Sequence, residues 1–236
     1  RSQGEVDGQD IYETVREAIR EPGRFSEIYL SGGTDFSGDP PFAAEAERYI
    51  RVLQAVGRNF SGRFSSQLMA PAYPKTLLRR IYDQTGVTSY CPNIEVWDAA
   101  IFKELCPGKE KWVGHAEWVR RTLDAVEIFG KGQVCTQVVG GVELAARNGF
   151  ATLDQALKSN FEACEFFARH GVSYLSVLWH PHKASRLGFR PLPPLDYYIR
   201  LAKGLHEIRR DYGLTSTNDD YKHCGNHPDS DLERLD

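Results

Sequence analysis

Short apolar runs alternate with amphipathic segments along most of the chain. Runs rich in β-branched and aromatic residues, which are typical of strands, cover 25–31, 63–69, 87–96, 134–139 and 172–179. Apolar residues at helical spacing predict helices over 10–21, 41–57, 74–85, 115–130, 152–170 and 194–212. Asp10 and Thr152 are predicted to cap two of these helices at their N-termini. The pattern therefore predicts one helix followed by five strand–helix units.

The strand–helix repeat predicts an α/β fold with a parallel sheet. Each unit is roughly 35 residues long, which suits β–α–β crossovers. Two architectures fit this order: a doubly wound open sheet, and a complete or partial (β/α) barrel. No G-x-G-x-x-G sequence opens a predicted helix, which disfavours dinucleotide binding. The polar stretch from Thr215 is interpreted as a tail or a lid.

The charge balance and the lack of long apolar runs disfavour nucleic-acid and membrane partners. Lys plus Arg is 29 and Asp plus Glu is 32, a net charge of −3, so the balance gives no reason to expect a nucleic-acid partner. No apolar run approaches the roughly 20 residues of a membrane span, and no membrane partner is expected. The polar start shows no signal-peptide pattern, and it begins with Arg1 rather than Met, which is compatible with a fragment.

Cysteine usage favours a reducing compartment. The five cysteines stand at 91, 106, 135, 164 and 224, and no two are close enough to form a metal knuckle. The number is odd, which disfavours a disulfide framework. We therefore expect reduced thiols and a cytoplasmic location.

In both architectures the chemistry lies at the C-terminal ends of the strands. The first predicted strand ends in Ser31-Gly32-Gly33-Thr34-Asp35, and the fourth is followed by Gly140-Gly141. A glycine pair lets the backbone approach a ligand closely, but it equally suits a tight turn. Asn93 and Glu95 stand two apart in the third strand, so they share a face, where a carboxylate could accept from both hydroxyls of a ribose.

Further polar residues lie near the C-terminal ends of the predicted strands. Gln67 closes the second strand, and Arg120 and Arg121 lie near the start of a helix, where one could bind a carboxylate bidentately. His180 and His182 follow the fifth strand as a possible metal or acid–base pair, although two ligands alone do not make a metal site. The sequence contains no complete set of metal ligands, so no metal site is predicted. It also gives no basis for assigning a catalytic residue.

Four of these segments, in this order, resemble motifs of the radical S-adenosylmethionine (radical SAM) enzymes, especially the group around biotin synthase. Ser31-Gly32-Gly33-Thr34 resembles the Gly-Gly-Glu motif that contacts the methionyl amino group. Asn93-Ile94-Glu95 resembles the motif that holds the ribose, and Arg120 or Arg121 stands where the family has an Arg for the methionyl carboxylate. The segment 138–143 resembles the Gly-rich segment that lines the adenine pocket.

The resemblance implies a fold, a cofactor and a set of contacts. It implies a partial (β/α)6-type barrel, similar to a TIM barrel, over residues 1–214, with 215–236 as a polar tail. It assigns cofactor binding to Ser31, Gly32, Gly33, Thr34, Asp35, Asn93, Glu95, Arg120, Arg121, Val139, Gly140 and Val142. On position alone, the candidates for the substrate side are Gln67, Tyr90, Trp179, His180 and His182.

The family's activity would be reductive cleavage of S-adenosylmethionine to a 5′-deoxyadenosyl radical, which takes a hydrogen from a small-molecule substrate. The electron for this cleavage comes from a [4Fe–4S] cluster. A donor protein such as flavodoxin or ferredoxin reduces the cluster. The C-x3-C-x2-C loop that ligates this cluster is absent here, as is the strand before it, so the cluster ligands are expected outside this sequence. A second departure is Thr34 in place of the family's Glu, for which Asp35 is the available substitute.

Two other functions fit the sequence. One is a metal-dependent lyase or aldolase on a complete barrel, with His180 and His182 as ligands. The other is a radical SAM relative that has lost its cluster and binds an adenosyl ligand or a partner without catalysis.

Overall fold

A five-stranded parallel sheet forms the centre of the molecule within residues 7–21 and 27–214, the part of the chain that the computed structural model describes. Its strands are β1 Ile28–Ser31, β2 Ser66–Met69, β3 Ser89–Cys91, β4 Val134–Gly140 and β5 Val172–Leu178. The prediction of an α/β fold with a parallel sheet is confirmed. Part of the first predicted strand, 25–26, and the predicted tail, 215–236, lie outside the described residues.

The helices lie between these strands much as the sequence predicts. They are α1 Gly8–Arg20, α2 Ala43–Gly57, α3 Lys75–Gln84, α4 Ala99–Leu105, α5 Pro107–Trp112, α6 His115–Phe129, α7 Val142–Ala145, α8 Leu153–Arg169 and α9 Leu195–Asp211. Thr152 caps α8 as predicted, in a capping box with Gln155. The predicted Asp10 cap is wrong, because Asp7 accepts the Gln9 N–H and α1 begins one turn earlier. The short helices α4, α5 and α7 were not predicted.

The strand order distinguishes the two architectures considered above. The strands lie in the order β1-β2-β3-β4-β5, so each pairs with its neighbour in sequence. A doubly wound sheet reverses its order partway, which does not occur among the described strands. Because β–α–β crossovers are right-handed, an unreversed order places the connecting helices on one face of the sheet. This arrangement is consistent with a barrel-like sheet.

The two faces of the sheet carry different side chains. Leu68, Tyr90 and Val134 point to the helices and belong to the main hydrophobic core, which extends from α2 to α9. Residues next to them in sequence point the other way, and there Cys91, Cys135 and Leu175 form a small separate cluster. The helix-facing side is therefore aromatic and aliphatic, whereas the opposite side mixes thiols with polar residues.

Pro92 ends β3 at Cys91, five residues earlier than the sequence predicts. It has no N–H to donate, so the ladder to β4 breaks, and its carbonyl instead accepts from the Thr136 hydroxyl (2.9 Å). The same hydroxyl accepts the Ile94 N–H at 3.0 Å. Pairing resumes at Glu95, whose N–H donates to the Gln137 carbonyl at 2.9 Å. The chain thus crosses the break without leaving these backbone groups unpaired.

No helix within 7–21 and 27–214 has both the length and the apolar character needed to cross a membrane.

A buried carboxyl group joins the end of β4 to two helices. Glu143, on α7, is 1 % exposed and accepts from the Gly141 N–H (2.9 Å), the Asn160 amide (2.8 Å) and the Tyr197 hydroxyl. Asn160 lies on α8 and Tyr197 on α9, so one side chain fixes three elements. Burial raises the pKa of Glu143 above its ordinary value, against the opposing effect of these hydrogen bonds.

The raised pKa predicts that Glu143 makes stability depend on pH. The folded state holds the proton more tightly than the unfolded state, so its contribution is fully present below about pH 4.5 and is lost as pH rises through the folded pKa. We expect the free energy of unfolding of the wild type to fall over this range relative to Glu143→Gln, which cannot titrate. Urea denaturation of both proteins from pH 4 to 9 measures the difference. A difference that does not change with pH would contradict the assignment.

Candidate functional site

A cavity of about 350 Å³ opens where the C-terminal ends of the first strands meet α4, α5 and α6. Thr34 and Phe36 line it from the loop after β1, and Leu105, Cys106 and Lys109 line it from the α4–α5 segment. Trp118 of α6 lies beneath. The cavity thus lies at the strand edge at which parallel α/β folds place their chemistry.

Among the described residues that line this cavity, Lys109 is the one with a charged side chain. Its Nζ donates to the Asn93 carbonyl and to Glu95 Oε1, both at 2.6 Å. The ammonium also lies 4.6 Å from the centroid of the Trp118 ring, within the range of a cation–π contact. The side chains of Lys109 and Glu95 are 27 % and 31 % exposed, so the pair is only partly shielded from water.

Asn93 and Glu95 lie after the end of β3, although the sequence predicts them within that strand, and both are half-buried. Ile94 and Val96 are buried in the helix-side core, which turns Asn93 and Glu95 to the other side. Cys91 donates its thiol hydrogen to Asn93 Oδ1 at 2.9 Å. Glu95 has a φ of 68°, a backbone conformation unusual for a side chain of this kind. That turn carries its carboxylate towards Lys109.

The loop after β1 is held in place by α2. Glu45, which is 2 % exposed, accepts the Asp35 N–H and the Tyr73 hydroxyl. The Asp35 carboxylate accepts from the Ser37 N–H (2.9 Å) and pairs with Arg48 (2.6 Å), and these hydrogen bonds, Ser37 first, lower its pKa to about 2. Ser31, Gly32, Gly33 and Thr34 stay exposed, and a side chain at Gly33 would meet open space.

Gly140 and Gly141, at the end of β4, are packed against other parts of the same chain. A Cβ at Gly140 would stand 2.5 Å from Leu201 Cδ2, and one at Gly141 would stand 2.8 Å from Pro193. Gly141 also has a φ of 103°. Close packing of α9 and its preceding loop therefore accounts for both glycines.

The neighbouring Val139 and Val142 are not among the described residues that line the cavity. They pack in a small cluster with Ala145, Trp179 and Leu105. Leu105 is also part of the cavity wall. The segment predicted for the adenine side therefore lies outside the cavity wall and is near it only through the cluster that Leu105 packs against.

The two arginines predicted for a carboxylate are engaged elsewhere. Arg120 is exposed and pairs with Glu117 (2.7 Å) and Asp124 (2.6 Å) along α6. Arg121 donates to Glu117 (2.7 Å) and to the Ala72 carbonyl (3.0 Å) in the loop after β2. Both guanidinium groups therefore have intramolecular acceptors, and neither is among the residues that line the cavity.

The substrate-side candidates are not brought together. Gln67 is buried on the sheet face opposite the helices, where its amide approaches Ser89 (3.4 Å) and the Cys135 sulfur (3.5 Å). Tyr90 points to the helices instead, with its hydroxyl accepting the Tyr73 N–H (3.0 Å) and donating to the Pro71 carbonyl. The alternation of side chains along the strands separates these two candidates.

The remaining candidates lie after β5. Trp179 is buried beside Val142, while His180 and His182 are exposed. His182 Nδ1 accepts the Ala184 N–H at 3.2 Å, a local turn contact. No three His, Cys, Asp or Glu side chains within 7–21 and 27–214 form a group that could hold a metal ion.

The described cysteines have separate surroundings. Cys91 and Cys135 pack together on the sheet face opposite the helices, and Cys106 lies in the cavity wall. Cys164 is buried under α9, with its thiol 3.8 Å from the Leu205 carbonyl. Cys224 lies outside the described residues.

Sequence reasoning missed Lys109, Cys106 and the aromatic wall. The segment 97–114 carries no long periodic pattern, because it folds into two helices of 7 and 6 residues. The available signal was position: Cys106-Pro107-Gly108-Lys109 follows the third strand and so must lie at its C-terminal end. A lone cation in such a connection is a candidate partner for a carboxylate of that strand.

Comparison with known proteins adds no relative: no family model matches the chain, and no curated protein matches it significantly.

Cys106 is predicted to be an unreactive thiol despite lining the cavity. Burial, followed by the nearby Glu95 carboxylate, raises its pKa to about 11 from an ordinary value of 9.0. Because the thiolate is the nucleophile, we expect alkylation by iodoacetamide at pH 8 to be about 100-fold slower than at an unperturbed thiol. Mass spectrometry of the Cys106 peptide across pH 7–11 measures this rate, and Cys106→Ser identifies the signal. Fast labelling at pH 8 would contradict the prediction.

Proposed function

We propose that the chain binds S-adenosylmethionine at the cavity edge and is the ligand-binding part of a radical SAM enzyme. The observation that carries this proposal is that segments far apart in sequence come together around one cavity. Thr34 and Lys109 line one cavity, Lys109 holds both Asn93 and Glu95, and Leu105 connects the same cavity to Val139 and Val142. Of the three segments that resemble family motifs, the first lines this space of about 350 Å³ through Thr34, the second is bonded to Lys109 in its wall, and the third packs in the cluster that Leu105 contacts.

Each segment has a role that suits its chemistry. The Glu95 carboxylate can accept from the hydroxyls of a ribose, and its turned backbone presents it at the edge. The open space at Gly33 lets the methionyl amino group approach the backbone beside Thr34. Val139 and Val142 supply an apolar surface for an adenine ring. The aromatic rings of Phe36 and Trp118 help to exclude water from the same space.

The sheet is, in this proposal, part of a (β/α)6-type partial barrel. Its unreversed strand order is the order of such barrels. Among the described strands, β1 pairs only with β2, so its other edge is where a preceding strand would add. The polar groups of the face opposite the helices, Gln67 among them, then point into the barrel, where a small-molecule substrate would bind.

The cluster itself does not fit the described residues. The thiols of Cys91, Cys106, Cys135 and Cys164 do not form a group of three, whereas a [4Fe–4S] cluster needs several thiolates around one site. We therefore assign no step through the cluster to these residues. Cleavage of S-adenosylmethionine and hydrogen abstraction, together with a donor such as flavodoxin or ferredoxin, depend in this proposal on ligands elsewhere.

A metal-dependent lyase has less support. It needs His180 and His182 to converge with a third ligand, but both are exposed. Binding without catalysis shares the adenosyl site with the enzyme and differs from it only in the cluster. The two experiments that follow address binding and cluster separately.

Glu95→Gln is expected to weaken binding of S-adenosylmethionine about tenfold to hundredfold. A hydrogen bond to a charged group contributes roughly 1.5–3 kcal/mol, and Gln keeps the size of the side chain at the unusual φ. Calorimetric titration of the 236-residue chain gives the affinity, and thermal melting gives the stability. Glu47→Gln, on α2 and away from the cavity, is the matched control. Unchanged affinity with a lowered melting temperature would assign Glu95 to structure alone.

The 236-residue chain is expected neither to hold a [4Fe–4S] cluster nor to cleave S-adenosylmethionine. The reason is the separation of its thiols: Cys135 is near the N-terminal end of β4, and Cys164 lies within α8. Anaerobic reconstitution with iron and sulfide, followed by iron counting and a 5′-deoxyadenosine assay under strong reductant, checks both points. Near-stoichiometric cluster with deoxyadenosine formation would show that the thiols do converge.

A further inference from the structure

The structure leaves one part of the proposed ligand without its expected partner. The carboxylate of S-adenosylmethionine is an anion, and an anion entering a partly apolar cavity needs a cation or several donors. The sequence places Arg120 or Arg121 in that role. Their observed contacts leave the role open, because Arg120 lies on the exposed side of α6 and Arg121 fixes the loop after β2.

Lys109 is the cation that lies in the right place. Its side chain lines the cavity from α5, and Thr34, whose segment is assigned to the methionyl end of the ligand, lines the same cavity. Of its three N–H donors, two have oxygen acceptors in the described part of the chain, the Asn93 carbonyl and Glu95. One donor therefore has no oxygen acceptor there.

The surroundings of Lys109 suit an exchange of partners. The Glu95 carboxylate is 31 % exposed, and the contact is an ion pair of the partly solvated kind that contributes little to stability. A ligand that brings ribose hydroxyls to Glu95 and a carboxylate to Lys109 replaces one charge-assisted contact with two. The contact with Trp118 keeps the ammonium in position while its oxygen partners change.

We propose that Lys109 binds the carboxylate of the ligand and that this contact selects adenosyl ligands that carry an amino-acid group. The inference rests on the proposed function, because it assumes an adenosyl ligand in this cavity. It adds that the chain distinguishes ligands by their carboxylate and that a lysine, not an arginine, makes the distinction.

The test pairs two ligands with two proteins. Decarboxylated S-adenosylmethionine keeps the adenosine, the sulfonium and the amino group of S-adenosylmethionine and lacks only the carboxylate. The wild-type chain is expected to bind it about tenfold to hundredfold more weakly than S-adenosylmethionine in calorimetric titrations. Lys109→Met is expected to lose that preference by weakening S-adenosylmethionine alone, and Lys109→Arg to regain part of it.

Controls separate a local effect from a general one. Lys103→Met removes an exposed lysine from the adjacent helix α4 and is expected to leave both affinities unchanged. Thermal melting of each variant shows whether the loss of the Glu95 ion pair has unfolded the site. Arg121→Met, compared in the same titrations, tests the arginine that the sequence favours.

The outcomes differ for the two proposals. A wild-type chain that binds neither ligand would overturn the proposed function and this inference with it. If the wild type binds S-adenosylmethionine but Lys109→Met weakens both ligands equally, the inference alone is wrong. It is equally wrong if Arg121→Met abolishes the preference while Lys109→Met keeps it.

Discussion

The backbone hydrogen bonds of a buried sheet must all be satisfied, and Pro92 is where this requirement shapes the molecule. A proline inside a paired strand removes one donor, and the lost ladder contact must be replaced. Here the Thr136 hydroxyl joins the Pro92 carbonyl to the Ile94 N–H, and the Trp118 indole donates to the same carbonyl at 3.1 Å. The replacement leaves the strand free to turn at Glu95. The position of the Lys109–Glu95 pair, and so of the cavity edge, follows from this break.

The two faces of the sheet differ in how their side chains pack. On the helix side, Tyr90 stacks on Phe129 with ring centroids 5.8 Å apart, and its hydroxyl is bonded within the core. On the other side, thiols and amides take the place of aliphatic packing, with Cys135 within reach of the Gln67 amide. Because one residue step moves a side chain from one face to the other, neighbours such as Ser89 and Tyr90 have unrelated surroundings.

The sequence predicts long periodic elements and strand ends, but it does not predict which side chains pair. The sequence predicts the five strands and the six long helices because their periodicities are strong, but it extends β3 through Asn93 and Glu95, which lie beyond the break at Pro92. The helices α4 and α5 have 7 and 6 residues, too few to show a period, so the pattern gives no indication of Lys109. Arg120 and Arg121 had the right charge and position along the chain. Their pairing with Glu117 depends on tertiary contacts that spacing alone does not specify.

Gly33 and Gly140, which follow or end two of the strands, would be conserved among homologues for different reasons. At Gly140 a methyl group would collide with Leu201, so selection would keep glycine there in any homologue that docks α9 in this way, whatever it binds. At Gly33 a methyl group would meet no described atom within 4 Å, so packing within the described part of the chain does not require glycine there. Invariance at the two positions would therefore have different causes. Variation at Gly33 with Gly140 retained is what packing among the described residues alone predicts.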